Sequence, residues 1–146
     1  MNNCLVCNRI HLILNNENPL FFTELKTGYV VLCDYQSYWG YTLFLAKHHA
    51  TELHELEVDY KILYLTEMSL VAEAVYRSFN PDKINYELLG NTDSHLHWHI
   101  IPRRKIDILY KKSIWEIPQE ARSYKPTPHE IQQLKAKLLS NLKLIK

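Results

Sequence analysis

From residue 58 to residue 79 apolar side chains recur every three or four positions, at Ile62, Leu65, Met68, Ala72, Val75 and Phe79, the period of an amphipathic helix. Asn80-Pro81 stops it, because proline has no amide donor and disfavours helical torsions in the residue before it. Upstream the pattern changes. Leu20-Phe21-Phe22, Tyr29-Val30-Val31-Leu32-Cys33 and Tyr41-Thr42-Leu43-Phe44-Leu45 are short runs rich in aromatic and β-branched residues, with Gly28 and Gly40 as punctuation. They predict an antiparallel meander with tight turns. Two further strands, 84–89 and 95–101, flank the polar turn Gly90-Asn91-Thr92-Asp93-Ser94 and predict a second hairpin. Residues 103–126 mix Arg103, Arg104, Lys105, Lys111 and Lys112 with Trp115, Pro118 and Pro126, which predicts an irregular segment over the surface, in its plainest form a solvated tail. Thr127-Pro128-His129-Glu130 then supplies a capping Thr, a first-turn Pro and a Glu at the third helical position. A last helix follows, with Ile131, Leu134, Leu138 and Leu142 on one face.

These elements make an α+β chain: an antiparallel sheet of about five strands, one long helix packed on it and a further C-terminal helix. Its 146 residues, 47% hydrophobic, suit one globular domain. Seventeen basic against sixteen acidic residues give a net charge of +1, which supplies no electrostatic case for nucleic acid or an anionic membrane surface as partner. The three glycines, Gly28, Gly40 and Gly90, are isolated, so neither a G-x-G-x-x-G dinucleotide loop nor a phosphate loop of the G-x-x-x-x-G-K-[ST] type can be written. No run approaches the roughly 18 apolar residues of a membrane span, and Met1-Asn2-Asn3-Cys4 lacks the basic and apolar blocks of a secretory signal. A cytoplasmic protein is the expectation. Three cysteines, two of them as Cys4-x-x-Cys7, cannot close a disulfide set, which points to metal or redox chemistry instead.

Eight histidines are the compositional oddity, and three fall in His95-Leu96-His97-Trp98-His99-Ile100-Ile101-Pro102. In a strand alternate side chains share a face, which would set the three imidazoles on one side and Leu96, Trp98 and Ile100 against the core. Pro102 suits a strand end. Four readings fit three neighbouring imidazoles: ordinary polar residues on a half-exposed strand, a mononuclear metal centre, a nucleotide-binding module without chemistry, and nucleophilic catalysis. For the second, the glycines and downstream Glu of a cupin-like site are missing. For the fourth, neutral imidazole is a competent nucleophile toward phosphorus, with an ordinary pKa of about 6.5 that leaves most of it deprotonated at neutral pH.

The pattern H-φ-H-φ-H-φ-φ followed by Pro-Arg, matched from His95 to Arg103, resembles the signature of the histidine triad (HIT) superfamily of nucleotide hydrolases and transferases. Cys4-Leu-Val-Cys7, the stretch Gly40-Tyr-Thr-Leu-Phe-Leu-Ala-Lys47-His-His49 and the strand order resemble its zinc-bearing branch. Asn85-Tyr-Glu-Leu-Leu-Gly90-Asn91 and Ile114-Trp115-Glu116 look like a bacterial subgroup described as diadenosine-tetraphosphate-hydrolase-like. The resemblance covers roughly residues 4–118, which makes 1–118 a nucleotide-binding catalytic domain and 119–146 a helical extension packed on it.

The resemblance implies roles residue by residue. His97 matches the nucleophile that attacks the α-phosphate and carries a covalent nucleotidyl intermediate, and His99 the histidine that contacts the phosphate or leaving group. Asp34 matches the acidic residue that bonds the ribose hydroxyls, and Asn91 and Asn85 are candidates against the phosphates. Cys4, Cys7, His49 and His95 would hold a structural zinc ion, with His49 preferred over His48 by alignment alone; a reduced pair of thiols is the plain alternative. A homodimer is implied as well. Three departures stand out: Tyr41 where relatives often carry His, Ala46 where a Pro is usual, and Gly90-Asn91 in place of Gly-Gln. No clustered carboxylates are present to hold a catalytic magnesium ion. The expected activity is hydrolysis at the α-phosphate of dinucleoside polyphosphates or related phosphoesters and phosphoramidates. The rivals are a nucleotidyltransferase using the same histidine, a non-catalytic nucleotide-binding protein, and a redox or zinc-carrying protein built on Cys-x-x-Cys. The basic run 103–112 either holds a polyphosphate or is solvated surface, and Trp115 either reaches a base or covers the core.

Overall fold

The computed structural model describes residues 4–145, so the reading of Met1, Asn2 and Asn3 as no part of a leader lies outside the described residues. Five strands, β1 (Phe21–Glu24), β2 (Gly28–Leu32), β3 (Thr42–Ala46), β4 (Lys83–Glu87) and β5 (His97–Arg103), form one antiparallel sheet in the order β1-β2-β3-β5-β4. Three helices accompany it: α1 (Leu5–Leu14), α2 (Val58–Phe79) and α3 (Pro128–Ile145). The α+β architecture, the long helix and the C-terminal helix agree with the sequence pattern. Asn80 closes α2 in a left-handed conformation at φ 44°, a conformation asparagine tolerates better than most residues. At α3 the amide of Glu130 donates to Thr127 Oγ1 at 3.3 Å while the amide of Thr127 donates to Glu130 Oε2 at 2.7 Å, the reciprocal cap written in the sequence.

The sheet is covered on both faces, which explains why β2 and β3 are buried at every position and read as unbroken apolar runs instead of alternating ones. One face carries Val30, Leu32, Phe44, Ala46 and Ile100 against Tyr64, Val71 and Val75 of α2 and, behind them, Leu134, Leu138 and Leu142 of α3. The other packs Tyr29, Val31, Leu43, Leu45 and Ile101 against Val6 and Ile13 of α1 and Ile114 and Ile117 of the segment after the sheet. Glu67, buried on α2, accepts hydrogen bonds from the amides of Lys26 and Thr27 at 2.9 and 2.8 Å and from Thr27 Oγ1 at 2.5 Å. Fully satisfied in this way, it clamps the β1–β2 turn onto the helix.

Several expectations change. Helix α1 has no counterpart in the sequence reading. The last strand begins at His97, not His95, and runs through Pro102 to Arg103. Before it, Leu96 exchanges backbone bonds with Ala46 and Ala50, which takes His95 out of the regular ladder. Pro102 is accommodated because pairing with β3 ends at Ile100, so no ladder bond is asked of it on that side. The basic segment is no solvated tail at its start. Arg103, 1% exposed, donates from Nε to Asp107 Oδ2 at 3.1 Å, from Nη1 to Asn85 Oδ1 at 3.2 Å and to the Lys112 carbonyl at 2.9 Å, and from Nη2 to the Tyr110 carbonyl at 3.3 Å. Its charge folds residues 103–112 back over β4. Among the described residues no helix is long and apolar enough to cross a membrane.

Truncating Arg103 would strand Asp107 and Asn85 beside a cavity. Arg103→Ala is expected to lower unfolding free energy by about 3 kcal/mol, read as a shifted urea midpoint, with Arg103→Lys recovering only part because an ammonium cannot reproduce the planar fork. A change within a few tenths would show that the network contributes little.

Candidate active site

His97 and His99 stand two residues apart on β5, so their rings emerge on the same face of the sheet. They border a cavity of about 250 Å³. Leu43 and Leu45 of β3 form its floor, Cys33, Asp34, Tyr38 and Tyr41 of the segment leading into β3 one side, and Leu5, Val6 and Arg9 of α1 another. Trp115 and Arg122, from the turns that follow the sheet, close it. The two imidazole centroids are 4.8 Å apart.

Hydrogen bonding distinguishes the rings. Nδ1 of His97 lies 2.7 Å from the carbonyl oxygen of His95; a carbonyl can only accept, so Nδ1 carries the hydrogen and Nε2 keeps a lone pair. Nδ1 of His99 lies 2.5 Å from the Tyr41 hydroxyl. Burial pushes the Tyr41 phenol far above its ordinary range, so it stays a neutral hydroxyl that ties down Nδ1 of His99. Desolvation, with a smaller repulsion from His97, pushes the His99 imidazolium down to about 4. His97 therefore presents a lone pair, and beside it stands a neutral imidazole held by Tyr41, an arrangement suited to a nucleophile and a neighbouring hydrogen-bonding ring.

A second cluster lies at the start of β5. Cys4, Cys7, His49 and His95 each bring a ligand atom within 4.8 Å of the others. His95 Nδ1 is 3.6 Å from Cys4 Sγ and 3.4 Å from Cys7 Sγ, and His49 Nδ1 is 3.3 Å from Cys7 Sγ. The edge of a tetrahedron with arms of about 2.0–2.3 Å is roughly 3.3–3.8 Å, so these spacings fit four ligands around one tetrahedral metal ion. The tautomer fits too: Nε2 of His95 donates to the Ala46 carbonyl at 2.8 Å, turning the Nδ1 lone pair toward the sulfurs, the outer-shell arrangement that orients metal-bound histidines. Burial, with Cys4 alongside, raises the Cys7 thiol, and lowers the His95 imidazolium; a cation among them reverses the first penalty by favouring thiolate. Cys4 also caps α1, its sulfur accepting from the Cys7 amide at 3.3 Å. The cluster therefore pins the helix that walls the cavity. His48 points elsewhere, its ring 5.2 Å from that of Tyr60.

Asp34 borders the cavity and is ion-paired with Arg9 of α1. The two asparagines are not brought there. Asn85 accepts from Arg103, and Asn91 is exposed in the loop between β4 and β5, from which Asp93 reaches the cavity rim. Trp115 lies edge-on to His99 at 5.5 Å and donates from its indole N–H to Glu87 of β4.

The model of the HIT domain matches residues 16–106. The chain belongs to the HIT family. Over 109 residues it is 27% identical to an adenosine 5′-monophosphoramidase of Saccharomyces cerevisiae, an alignment covering 69% of this chain and 63% of the yeast protein, so it spans less than two thirds of that relative's length. A histidine triad protein from Bradyrhizobium japonicum superposes with a TM-score of 0.76 at 24% identity, covering 84% of this chain and 89% of that one. A zinc-bound histidine triad family protein from Mycobacterium smegmatis gives 0.69 at 20% identity, covering 99% and 98%. These likenesses show the HIT fold. The matched stretch contains both catalytic candidates, whereas Cys4, Cys7, Arg9, Trp115 and Arg122 lie outside it. Tyr41, visible in the sequence only as a departure from the family's usual His, turns out to hold His99; nothing in the sequence marks Arg9 or Arg122.

Because His99 is easier to protonate unfolded, at about 6.5, than folded, at about 4, the unfolded state binds the extra proton between those values. Stability is thus highest above about pH 6.5 and is lost as pH falls toward 4, by about 2–3 kcal/mol from this ring. Denaturation of wild type against His99→Asn is expected to show a shallower acid slope in the variant, with the His99 ring signals remaining those of neutral imidazole at pH 5; an ordinary titration near 6.5 would contradict the assignment.

Proposed function

We propose that this HIT protein is a nucleotide hydrolase that cleaves at the α-phosphate of dinucleoside polyphosphates or nucleoside phosphoramidates through a covalent intermediate on His97. The observation that carries the reading is the bond from His97 Nδ1 to the His95 carbonyl, which leaves Nε2 as a lone pair beside a cavity of about 250 Å³. The name of the yeast relative, an adenosine 5′-monophosphoramidase, supports phosphorus–nitrogen cleavage. In the first half-reaction Nε2 of His97 forms a bond to the α-phosphorus while the bond to the bridging atom breaks; a nucleotide leaves as its phosphate anion and an amine leaves with a proton taken from solvent, while His99, neutral throughout, hydrogen-bonds the bridging atom through Nε2–H. Water then attacks the nucleotidyl-imidazole, forming a phosphorus–oxygen bond as the phosphorus–nitrogen bond breaks, and its proton passes to solvent, freeing His97. Tyr41 keeps the His99 N–H aimed at that bridging atom, and Asp34 takes the ribose hydroxyls, exchanging its Arg9 partner for them. Backbone and imidazole donors carry the phosphate charge in place of a lysine-bearing loop.

The same reading gives the Cys4, Cys7, His49 and His95 cluster a zinc ion. All four positions of a tetrahedron are taken by protein, which makes the ion structural. It also includes a cytoplasmic setting and a homodimer. Strand β4 pairs only with β5 among the described residues, leaving a sheet edge for a second copy.

Incubation with adenosine phosphoramidates and dinucleoside polyphosphates should release AMP, with a histidine-bound nucleotidyl adduct trapped by rapid quenching. His97→Ala is expected to lower kcat by about a thousandfold or more and to abolish the adduct, while nucleotide still binds; turnover at the wild-type rate would remove His97 as nucleophile. Purified protein should contain about one zinc per chain. In Cys4→Ser/Cys7→Ser the metal should be lost together with thermal stability, and nucleotide affinity should fall because α1 is no longer pinned. Metal analysis that finds no zinc in protein never exposed to chelator would refute this part.

A further inference from the structure

We propose that Arg122 is the binding site for the phosphates beyond the one attacked, so that the cavity favours polyphosphorylated nucleotides over monophosphates; this rests on the reading of the His97 cavity as a nucleotide site. Arg122 ends a short 3-10 turn (Gln119–Arg122) in the segment beyond the family match. Its guanidinium lies 5.3 Å over the Trp115 ring. Trp115 stands 5.5 Å from His99, and His99 4.8 Å from His97. His97, His99, Trp115 and Arg122 all border the same cavity. In the proposed pose the phosphates beyond the one attacked extend toward Trp115 and Arg122, which border the cavity together with His97 and His99.

The charge at that end is available. Arg9, the other arginine bordering the cavity, is paired with Asp34, whereas Arg122 forms no ion pair among the described residues. Its Nε donates to the Ile117 carbonyl at 3.2 Å, which fixes the plane of the guanidinium and leaves the terminal N–H groups of the fork for a ligand. An arginine laid flat on an indole keeps its edge donors free while the ring face stabilises its charge, and a fixed fork matches the oxygens of a phosphate. Trp115 cannot swing away easily, because its indole N–H is held by Glu87. The site therefore has a ribose end at Asp34, a reacting centre at His97 and His99, and an anion end at Arg122.

The test measures dissociation constants for AMP, ADP and ATP by calorimetry in a His97→Ala background, where the nucleotides stay intact. ATP and ADP should bind more tightly than AMP. Adding Arg122→Ala should shrink the AMP-to-ATP ratio of dissociation constants by about tenfold, and Arg122→Lys, which keeps the charge but loses the fork, should give an intermediate ratio. Thermal melts of both variants establish that they fold. If Arg122→Ala weakens AMP and ATP equally, Arg122 only props Trp115 and the proposal is wrong; an unchanged ratio rejects it as well, and in both cases the nucleotide reading stands. No nucleotide binding by wild-type or His97→Ala protein overturns that reading, and the proposal with it.

Discussion

His95 serves two neighbours at once. Its ring lies against the sulfurs of Cys4 and Cys7, steered there by the bond from Nε2 to the Ala46 carbonyl, and its own carbonyl receives the hydrogen of His97 Nδ1. A rotation of this one residue would disturb the metal-type cluster and the tautomer of His97 together. The position is fixed by backbone bonds from Leu96 to Ala46 and Ala50 and by burial that leaves His95 1% exposed. The His97–His99 pair is thus held firmly because it is built where the sheet meets the cluster, as a site that must hold its geometry to a fraction of an ångström requires.

The cavity depends on this in a second way. Its floor is sheet and its far wall is α1, a ten-residue helix too short to be stable in isolation. Packing of Val6 and Ile13 under the sheet and the tether at Cys4 and Cys7 together keep it in place. The remaining wall is supplied by the turns after β5, held by Ile114 and Ile117 in the same apolar cluster and by the Arg103 network behind them.

Much of this was legible in the sequence where a pattern had a period to read. Strands β1 to β3, helix α2 with its Asn80 stop and helix α3 with its Thr127 cap follow from spacing and capping chemistry. The alternation from His95 to His99 correctly placed two rings on one face. The third, His95, lies just before the regular ladder, which starts at His97, a boundary that alternation alone cannot show, and its ring meets Cys4 and Cys7. Helix α1 escaped although Val6, Ile10 and Ile13 recur at helical steps, since the run is short and its cap is a cysteine, which carries no capping preference. Arg103 looked like one more charge in a basic run; only tertiary structure shows a buried charge finding Asp107 and three other acceptors. Arg122 and Arg9 are in the same position, their roles set by what lies across space instead of along the chain.

The division of labour along the chain has a consequence for how such a protein diversifies. His97 and His99 sit in the central stretch shared with the family, whereas part of the cavity wall, from Leu5, Val6, Arg9, Ile114, Trp115 and Arg122, is lent by flanking segments before residue 16 and after residue 106. Substitutions in the flanks can therefore reshape that part of the wall while the paired histidines of the shared stretch stay in place.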